Sequence, residues 1–163
     1  MVDKNIVLEN CRLVFKNFAG EKRQYNDEGN RNFSVVLDDA QAELMKAQGW
    51  NVKSKPPREE GDPMFHHLKV KVFYGGKKPP LAVLISSKGR TQLGEDMISL
   101  LDNAELAVVD MIIRPFDWDV NGNQGRTAYL HSIYATLAED ELSLKYAETK
   151  EDDVEEPVER EED

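Results

Sequence analysis

Two sets of side chains in this chain could act on a phosphodiester polymer, and they would do different things. Asp110, Asp117 and Asp119 are acids of the kind that gather a divalent ion and activate water for hydrolysis. The second set interleaves cations with rings. Arg12, Lys16 and Phe18 are followed by Lys22, Arg23 and Tyr25 and then by Arg31 and Phe33; farther on come His67, Lys69, Lys71 and Phe73, with Tyr74, Lys77 and Lys78 behind them. Aromatic faces stack unpaired bases for about 1–3 kcal/mol per base while Lys and Arg hold the phosphates, so this pattern suits a single strand of any sequence. Trp118 belongs with the second set. A large ring among Asp117, Asp119 and Val120, beside a Gly-rich turn, is poorly placed for a core, and Tyr129 and Arg114 can approach it across a hairpin.

Plainer explanations compete with both. Phe15, Phe33 and Phe73 could fill a core while the lysines keep the surface solvated. Asp117 and Asp119 flank Trp118 just before a turn, where solvated acids are common. Nucleophilic hydrolysis is disfavoured: three His are present, but no G-x-S-x-G motif accompanies them. His66 and His67 are adjacent, so on a strand they point to opposite faces and cannot chelate one metal, and a single cysteine makes a zinc site improbable. No metal and no cofactor are expected. Cys11 sits in an apolar-periodic stretch with no partner for a disulfide, which fits a core thiol in a reducing compartment.

The positioning elements follow from periodicity. Ile6 to Phe18 alternates, with Val7, Cys11, Leu13 and Phe15 on one side and Asn10, Arg12, Lys16 and Phe18 on the other, so one long half-buried strand is expected. Residues 19–30 read as a hairpin loop leading to an antiparallel strand, Arg31 to Leu37. A helix should start at Asp38 or Asp39, bury Ala40, Leu44 and Ala47, and stop at Gly49. Trp50 to Lys53 reads as briefly extended, and Pro56, Pro57, Gly61 and Pro63 mark a mobile loop. His67 to Tyr74 alternates strictly, with Leu68, Val70 and Val72 inward and His67, Lys69, Lys71 and Phe73 outward. Leu81 to Ile85 should pair with that strand. Met97, Leu100 and Leu101 predict a second helix over 95–102, behind Glu95 and Asp96. Leu106 to Phe116 and Arg126 to Leu137 are strands joined by a turn at 121–125. About six strands and two short helices favour a mainly β chain folded as a small Greek-key barrel.

Charge divides the chain. Residues 139–163 carry thirteen acids and three bases, whereas 1–138 carry eighteen of each, so the net charge of −10 belongs entirely to the C-terminal segment. Two units are expected: a body of 1–138 and an acidic, flexible tail of 139–163, disordered after Glu148, in which Leu142, Leu144 and Tyr146 are the residues able to pack back. A run of acids can simply aid solubility. Attached to a cationic, aromatic body, it can also compete with a nucleic acid for the groove and recruit basic partners, through Glu151, Asp152, Asp153, Glu155, Glu156, Glu161, Glu162 and Asp163, with effects that salt weakens. The opening Met1-Val2-Asp3-Lys4 has no basic-then-apolar signal region and no apolar run is long enough to cross a bilayer, so no membrane association is expected.

Several segments are also familiar in their order. Glu9 to Gly20 (ENCRLVFKNFAG), Arg31-Asn32-Phe33, Gly49-Trp50-Asn51-Val52-Lys53, Pro115-Phe116-Asp117-Trp118 and Ala128-Tyr129-Leu130, together with the acidic tail, resemble bacteriophage single-stranded DNA-binding proteins with an OB-fold. The resemblance covers most of 5–138. It implies an OB-type barrel and a non-enzymatic protein that coats and protects single strands in phage DNA replication, recombination and repair, in the cytoplasm of the infected bacterial host. It also implies protein partners from replication and recombination, met through the tail. Tails of related single-strand binders end in an aromatic or Pro-Phe tip, whereas this chain ends Arg160-Glu161-Glu162-Asp163, so electrostatic recruitment is the expectation here. The DNA-binding residues expected are Arg12, Lys16, Tyr25, Arg31, Phe33, Trp50, Lys53, Lys69, Lys71, Phe73, Lys77, Trp118 and Tyr129. Two alternatives remain at this point: a small metal-dependent nuclease using Asp110, Asp117 and Asp119, and an acidic DNA mimic whose body has no DNA affinity of its own.

Overall fold

A computed structural model describes residues 4–139 of the chain. The acidic segment beyond Glu139, including every tail residue named above, lies outside the described residues. Nine strands and two short helices follow in the order β1 (Ile6–Leu8), β2 (Leu13–Asn17), β3 (Arg31–Leu37), α1 (Asp39–Ala47), β4 (Val52–Lys55), β5 (Phe65–Val72), β6 (Leu81–Ser86), β7 (Gly89–Leu93), α2 (Leu100–Asn103), β8 (Leu106–Val120) and β9 (Asn123–Leu137). One sheet takes them all. Its main path runs β1-β8-β9-β5-β3-β2, with β4 added on β5 and the β6–β7 hairpin added on β9. The path ends at β1 and β2 without closing, as the partly open barrels of this class do.

The longest hairpin is the one the sequence marks most clearly. Asn121 and Gly122 both have positive φ, 54° and 85°, and form the two-residue turn between β8 and β9. β9 then serves three partners: β8 antiparallel, β6 parallel from Leu81↔Ser132 to Ile85↔Thr136, and β5 parallel at Val70↔Ala128 and Lys71↔Tyr129. The expectation that Leu81 to Ile85 pairs with the strand before it is therefore corrected. The polar strand β7 carries no apolar alternation to announce it, yet it pairs with β6 along its whole length.

The expected single strand of 6–18 is two strands. The chain turns at Asn10, whose φ is 54°, so β1 pairs with β8 while β2 pairs with β3. A second departure, at Phe15 with φ 52°, shifts the β2–β3 register between Val14 and Asn17. An extra residue in a strand reverses every side chain beyond it. Phe15 consequently faces solvent, and Phe18 is buried and stacks on Phe33 with centroids 4.8 Å apart. Around this pair Val35, Leu68, Val70, Met111, Ile113 and Ile133 complete the core on the inner face of the sheet.

Asp38 is the N-cap of α1: its Oδ1 accepts from Gln41 N at 2.7 Å while Gln41 Oε1 accepts from Asp38 N at 3.2 Å. The buried stripe of α1 is Ala42 and Met45, so the expected stripe of Ala40, Leu44 and Ala47 is the outer one. Lys46 and Asp39 orient the helix toward β4 and β5 through Ser54 and His66. The expected helix over 95–102 is shorter, because Gly94 to Asp102 proceeds largely by i→i+3 turns and only Leu100–Asn103 is α-helical. Ile98 and Leu101 are buried there, and Met97 and Leu100 are exposed.

Candidate nucleic-acid interface

Strict alternation along β5 and its continuation sends Phe65, His67, Lys69, Lys71 and Phe73 to the outer face, and the neighbouring strands add to that face in register. Lys69 stands opposite Ser34 and Lys71 opposite Asn32 on β3, while Lys71 aligns with Tyr129 on β9. From β8, Arg114 lies opposite Tyr129 and Phe116 opposite Thr127. These positions converge on Tyr129. Phe116 meets its ring edge-on at 5.9 Å, Phe73 does so at 6.5 Å, and the Arg114 guanidinium lies 5.4 Å from its centroid. Phe73 is 56% and Phe116 51% exposed, so two rings of this cluster offer faces to solvent. Gly75 lets the chain pass close beside Phe73: a Cβ there would stand 2.7 Å from the ring.

On one side of this cluster is a cleft of about 370 Å³ lined by Tyr25, Asn30, Arg31, Lys69, Lys71 and Tyr129 among others. On the other side Lys77, Lys78 and Arg114 surround Phe73 and Phe116. Phe73 and Tyr129 belong to both walls, so the two depressions form one track. Tyr25 stands at its end, 89% exposed, on a loop braced by hydrogen bonds of Asn26. Asn26 Nδ2 donates to the carbonyls of Glu21 and Asn30 at 2.9 and 3.1 Å, and its Oδ1 accepts from Asn32 Nδ2 at 2.9 Å.

The expected site residues divide accordingly. Tyr25, Arg31, Lys69, Lys71, Phe73, Lys77 and Tyr129 come together on this track. Arg31 also has structural duties: its guanidinium donates to Phe18 O at 2.8 Å, lies 3.6 Å from a Glu95 oxygen and stands 6.0 Å from the Tyr74 ring centroid. Tyr74 itself is half-buried, and burial pushes its phenol pKa up. Trp118 follows Arg114 and Phe116 on the same face of β8, but its ring folds over Gly125, where a Cβ would overlap it, and its Nε1 donates to Thr127 Oγ1 at 3.1 Å. It retains 38% exposure. Lys53 is exposed on β4, opposite His67.

Two expectations are corrected by burial, and two further residues lie off this track. Phe33 and Trp50 are buried, Phe33 against Phe18 and Trp50 beneath the Arg126 guanidinium 5.5 Å away, so neither ring can stack a base. Lys16 donates to the carbonyls of Leu101 and Ala104 at 2.8 and 3.2 Å, which commits its ammonium to the end of α2. Arg12 lies in a separate depression with Cys11 and Lys16, away from Tyr129. Phe116 is the residue the sequence reading omitted from the site, although its place two residues from both Arg114 and Trp118 on a strand entering an Asn-Gly turn marks the same face.

The nuclease arrangement fails on geometry. Asp110 accepts from Asn10 N at 2.8 Å, and Asp117, seven residues farther along β8, receives Arg126 Nε at 2.6 Å and Nη2 at 3.1 Å. That guanidinium holds the Asp117 carboxyl below the usual carboxylate range. No cluster of three metal-ligating side chains occurs among the described residues. Asp39, His66 and Ser54 do form a carboxylate, imidazole and hydroxyl series, each link 2.7 Å, but Lys46 Nζ donates to the same Ser54 Oγ at 2.7 Å. A hydroxyl so occupied ties α1 to β4 and β5 and is a poor nucleophile. Burial, then the Asp110 charge, push the half-buried Cys11 thiol up to about 11, which leaves it protonated at neutral pH. Among the described residues no helix is long and apolar enough to cross a membrane.

No curated protein sequence matches the chain. Among solved structures, the single-stranded DNA-binding protein of bacteriophage Enc34 in complex with ssDNA superposes with a TM-score of 0.55 at 11% identity, over 83% of this chain and 88% of that one. Another structure of the Enc34 protein gives a TM-score of 0.52 at 12% identity, over 83% and 82% of the two chains. At these identities the likeness is one of fold alone. The family model for the phage ssDNA-binding domain matches residues 1–163, and the chain belongs to that family of non-enzymatic, single-stranded DNA-binding proteins.

Proposed function

We propose that single-stranded DNA lies across the outer face of β5, β9 and β8, with bases stacked on Phe73, Phe116 and Tyr25 and phosphates held by Lys69, Lys71, Lys77, Lys78 and Arg114. The observation that carries this reading is the Phe73–Tyr129–Phe116 cluster: three rings and a guanidinium gathered on the solvent side of a sheet whose core lies on the opposite face. Rings so placed contribute little to folding and are preorganised for stacking. Base identity is read weakly by such a surface, so the protein coats single strands of any sequence and protects them during phage replication, recombination and repair in the host cytoplasm.

The unit that binds is 1–138, and 139–163 acts on it. With a net charge of −10, that segment is a polyanion tethered to a cationic track, able to occupy it when DNA is scarce and to meet basic surfaces of replication and recombination proteins when DNA displaces it. Glu139, the first acid of the segment, accepts from Ser87 N and Oγ at 3.0 and 3.2 Å, which anchors its root at the β6–β7 turn. Fluorescence anisotropy with labelled single- and double-stranded oligonucleotides tests both statements, using the full chain, a chain ending at Ala138, and the full chain carrying Phe73→Ala with Phe116→Ala. The expected result is single-strand preference, tighter binding without the acidic segment, and a loss of about thirtyfold or more for the variant lacking both rings. Equal affinity of the ring variant and the unaltered chain would move the DNA to another face.

A further inference from the structure

Phe73 lies just beyond one end of β5; at the other end is a second ring cluster that the reading above does not use. Phe65 and His67 lie on the same outer face, with centroids 5.1 Å apart and planes 31° apart. Phe15 reaches them from the irregularity in β2, edge-on to His67 at 5.3 Å and to Phe65 at 6.2 Å. Cations flank the group. Lys53 is paired in register with His67 and Lys55 with Phe65, and Lys55 Nζ lies 5.8 Å from the Phe15 centroid.

Two features of this cluster go beyond what the burial of Phe18 requires. Phe15 holds a left-handed backbone, at a cost of about 1–3 kcal/mol for a non-glycine residue, at the irregularity that turns Phe18 inward, and the side chain carried there is a large ring left 55% exposed. Both ring nitrogens of His67 are shut off from solvent, with no hydrogen-bond partner among the described residues. A closed-off imidazole normally finds a partner, because leaving its donor and acceptor unmade costs about 1–3 kcal/mol. Burial, then Lys55 and Lys53, keep its pKa below the ordinary histidine value, so at neutral pH it presents one donor and one acceptor. Phe15 covers them.

We propose that Phe15, Phe65 and His67 form a nucleobase-binding station at the far end of the DNA track, in which Phe15 moves aside to stack on a base, the base edge pairs with His67, and Lys53 and Lys55 hold the adjoining phosphates. A base is the occupant because it alone combines a flat apolar face for Phe15 with donors and acceptors on its rim for His67, on a chain whose charge suits the flanking lysines. The station rests on the placement of DNA proposed above and extends it. Phe65 and Phe73 are eight residues apart, about 26 Å along an extended strand. A strand of roughly four nucleotides filling the Tyr129 end does not reach the station, and one of roughly twelve spans both.

The test measures binding of oligonucleotides of those two lengths to the full chain and to Phe15→Ala and the surface pair Lys53→Ala with Lys55→Ala, with melting curves to establish folding. A 2-aminopurine base at each end of the longer oligonucleotide in turn reports stacking. Expected are a five- to hundredfold loss for the longer strand with Phe15→Ala, no change for the shorter one, and loss of fluorescence quenching at one end only. The lysine pair should flatten the salt dependence for the longer strand alone. Equal binding of both lengths by every variant, or equal weakening of both, overturns the station and leaves the main track standing. Failure of the unaltered chain to bind either length overturns the track and the station together.

Discussion

Replacing Lys69 and Lys71 with alanine isolates the electrostatic half of the proposed interface. Both side chains are exposed on the outer face of β5 and no hydrogen bond or ion pair engages either among the described residues, so their removal leaves stability within about 0.5 kcal/mol. Binding should respond in a way that can be calculated. Each phosphate held by a cation releases condensed counterion, and for single strands the slope of log K against log salt is about −0.7 per contact. Lys69, Lys71, Lys77, Lys78 and Arg114 together give a slope near −3.5, and the double variant should bring it to about −2.1. Between roughly 50 and roughly 200 mM salt the unaltered chain then loses about a hundredfold in affinity and the variant about twentyfold. Anisotropy titrations of a labelled single strand too short to reach Lys53 and Lys55 measure both slopes across that range. An unchanged slope in the double variant, whatever its affinity at one salt concentration, would refute the assignment of phosphates to these lysines.

Other positions test the division between core and surface. Phe33→Ala should cost about 3–5 kcal/mol in thermal or urea unfolding, because it empties a fully buried ring site beside Phe18, while the protein that remains folded keeps the DNA affinity and salt slope of the parent. Gly125→Ala places a methyl group where the Trp118 ring lies, so the ring must leave Thr127; a shift in tryptophan emission and near-ultraviolet circular dichroism is expected at a cost of about 1 kcal/mol, and unchanged spectra would contradict the packing. The depressed pKa of His67 predicts a pH effect of definite sign. Below the ordinary value of 6.5 the unfolded chain takes up the proton before the folded chain does, so stability falls as the pH drops from 6.5 through the lower folded value, and His67→Gln should reduce that dependence in urea titrations.

Local signals specify some of this architecture, and the rest escapes them for identifiable reasons. Alternation along 67–73 placed Lys69, Lys71 and Phe73 outward because a strand buried on one face has only one register that hides its apolar set. Asn121-Gly122 specified its hairpin because both residues tolerate positive φ, and Asp38 was legible as a cap. Phe15 and Phe18 exchanged faces because the irregularity between Val14 and Asn17 is carried by a phenylalanine with positive φ, which propensity never suggests. The helix stripe of α1 reversed because Ala42 and Met45 are no less apolar in pattern than Ala40 and Leu44, and tertiary partners made the choice. Strand β6 found β9 instead of β5 because parallel pairing across fifty residues leaves no local trace. At the site, Trp50 and Phe33 illustrate the limit of residue type: a ring beside cations can be groove or core, and only its face of the sheet distinguishes them.

The threefold role of β9 has a consequence for synthesis. β5 and β6 both need β9 as a neighbour, yet β9 is the last described strand to leave the ribosome. At about 5–20 residues per second, the roughly fifty residues that separate the end of β6 from the end of β9 take several seconds to appear. Throughout that interval two nascent strands present unpaired edges, the kind of surface that joins neighbouring chains into aggregates. The lysines on the outer face of β5 and on the adjoining β4 then serve a purpose before any DNA is met, since like charges on an open edge keep one nascent copy from pairing with the next.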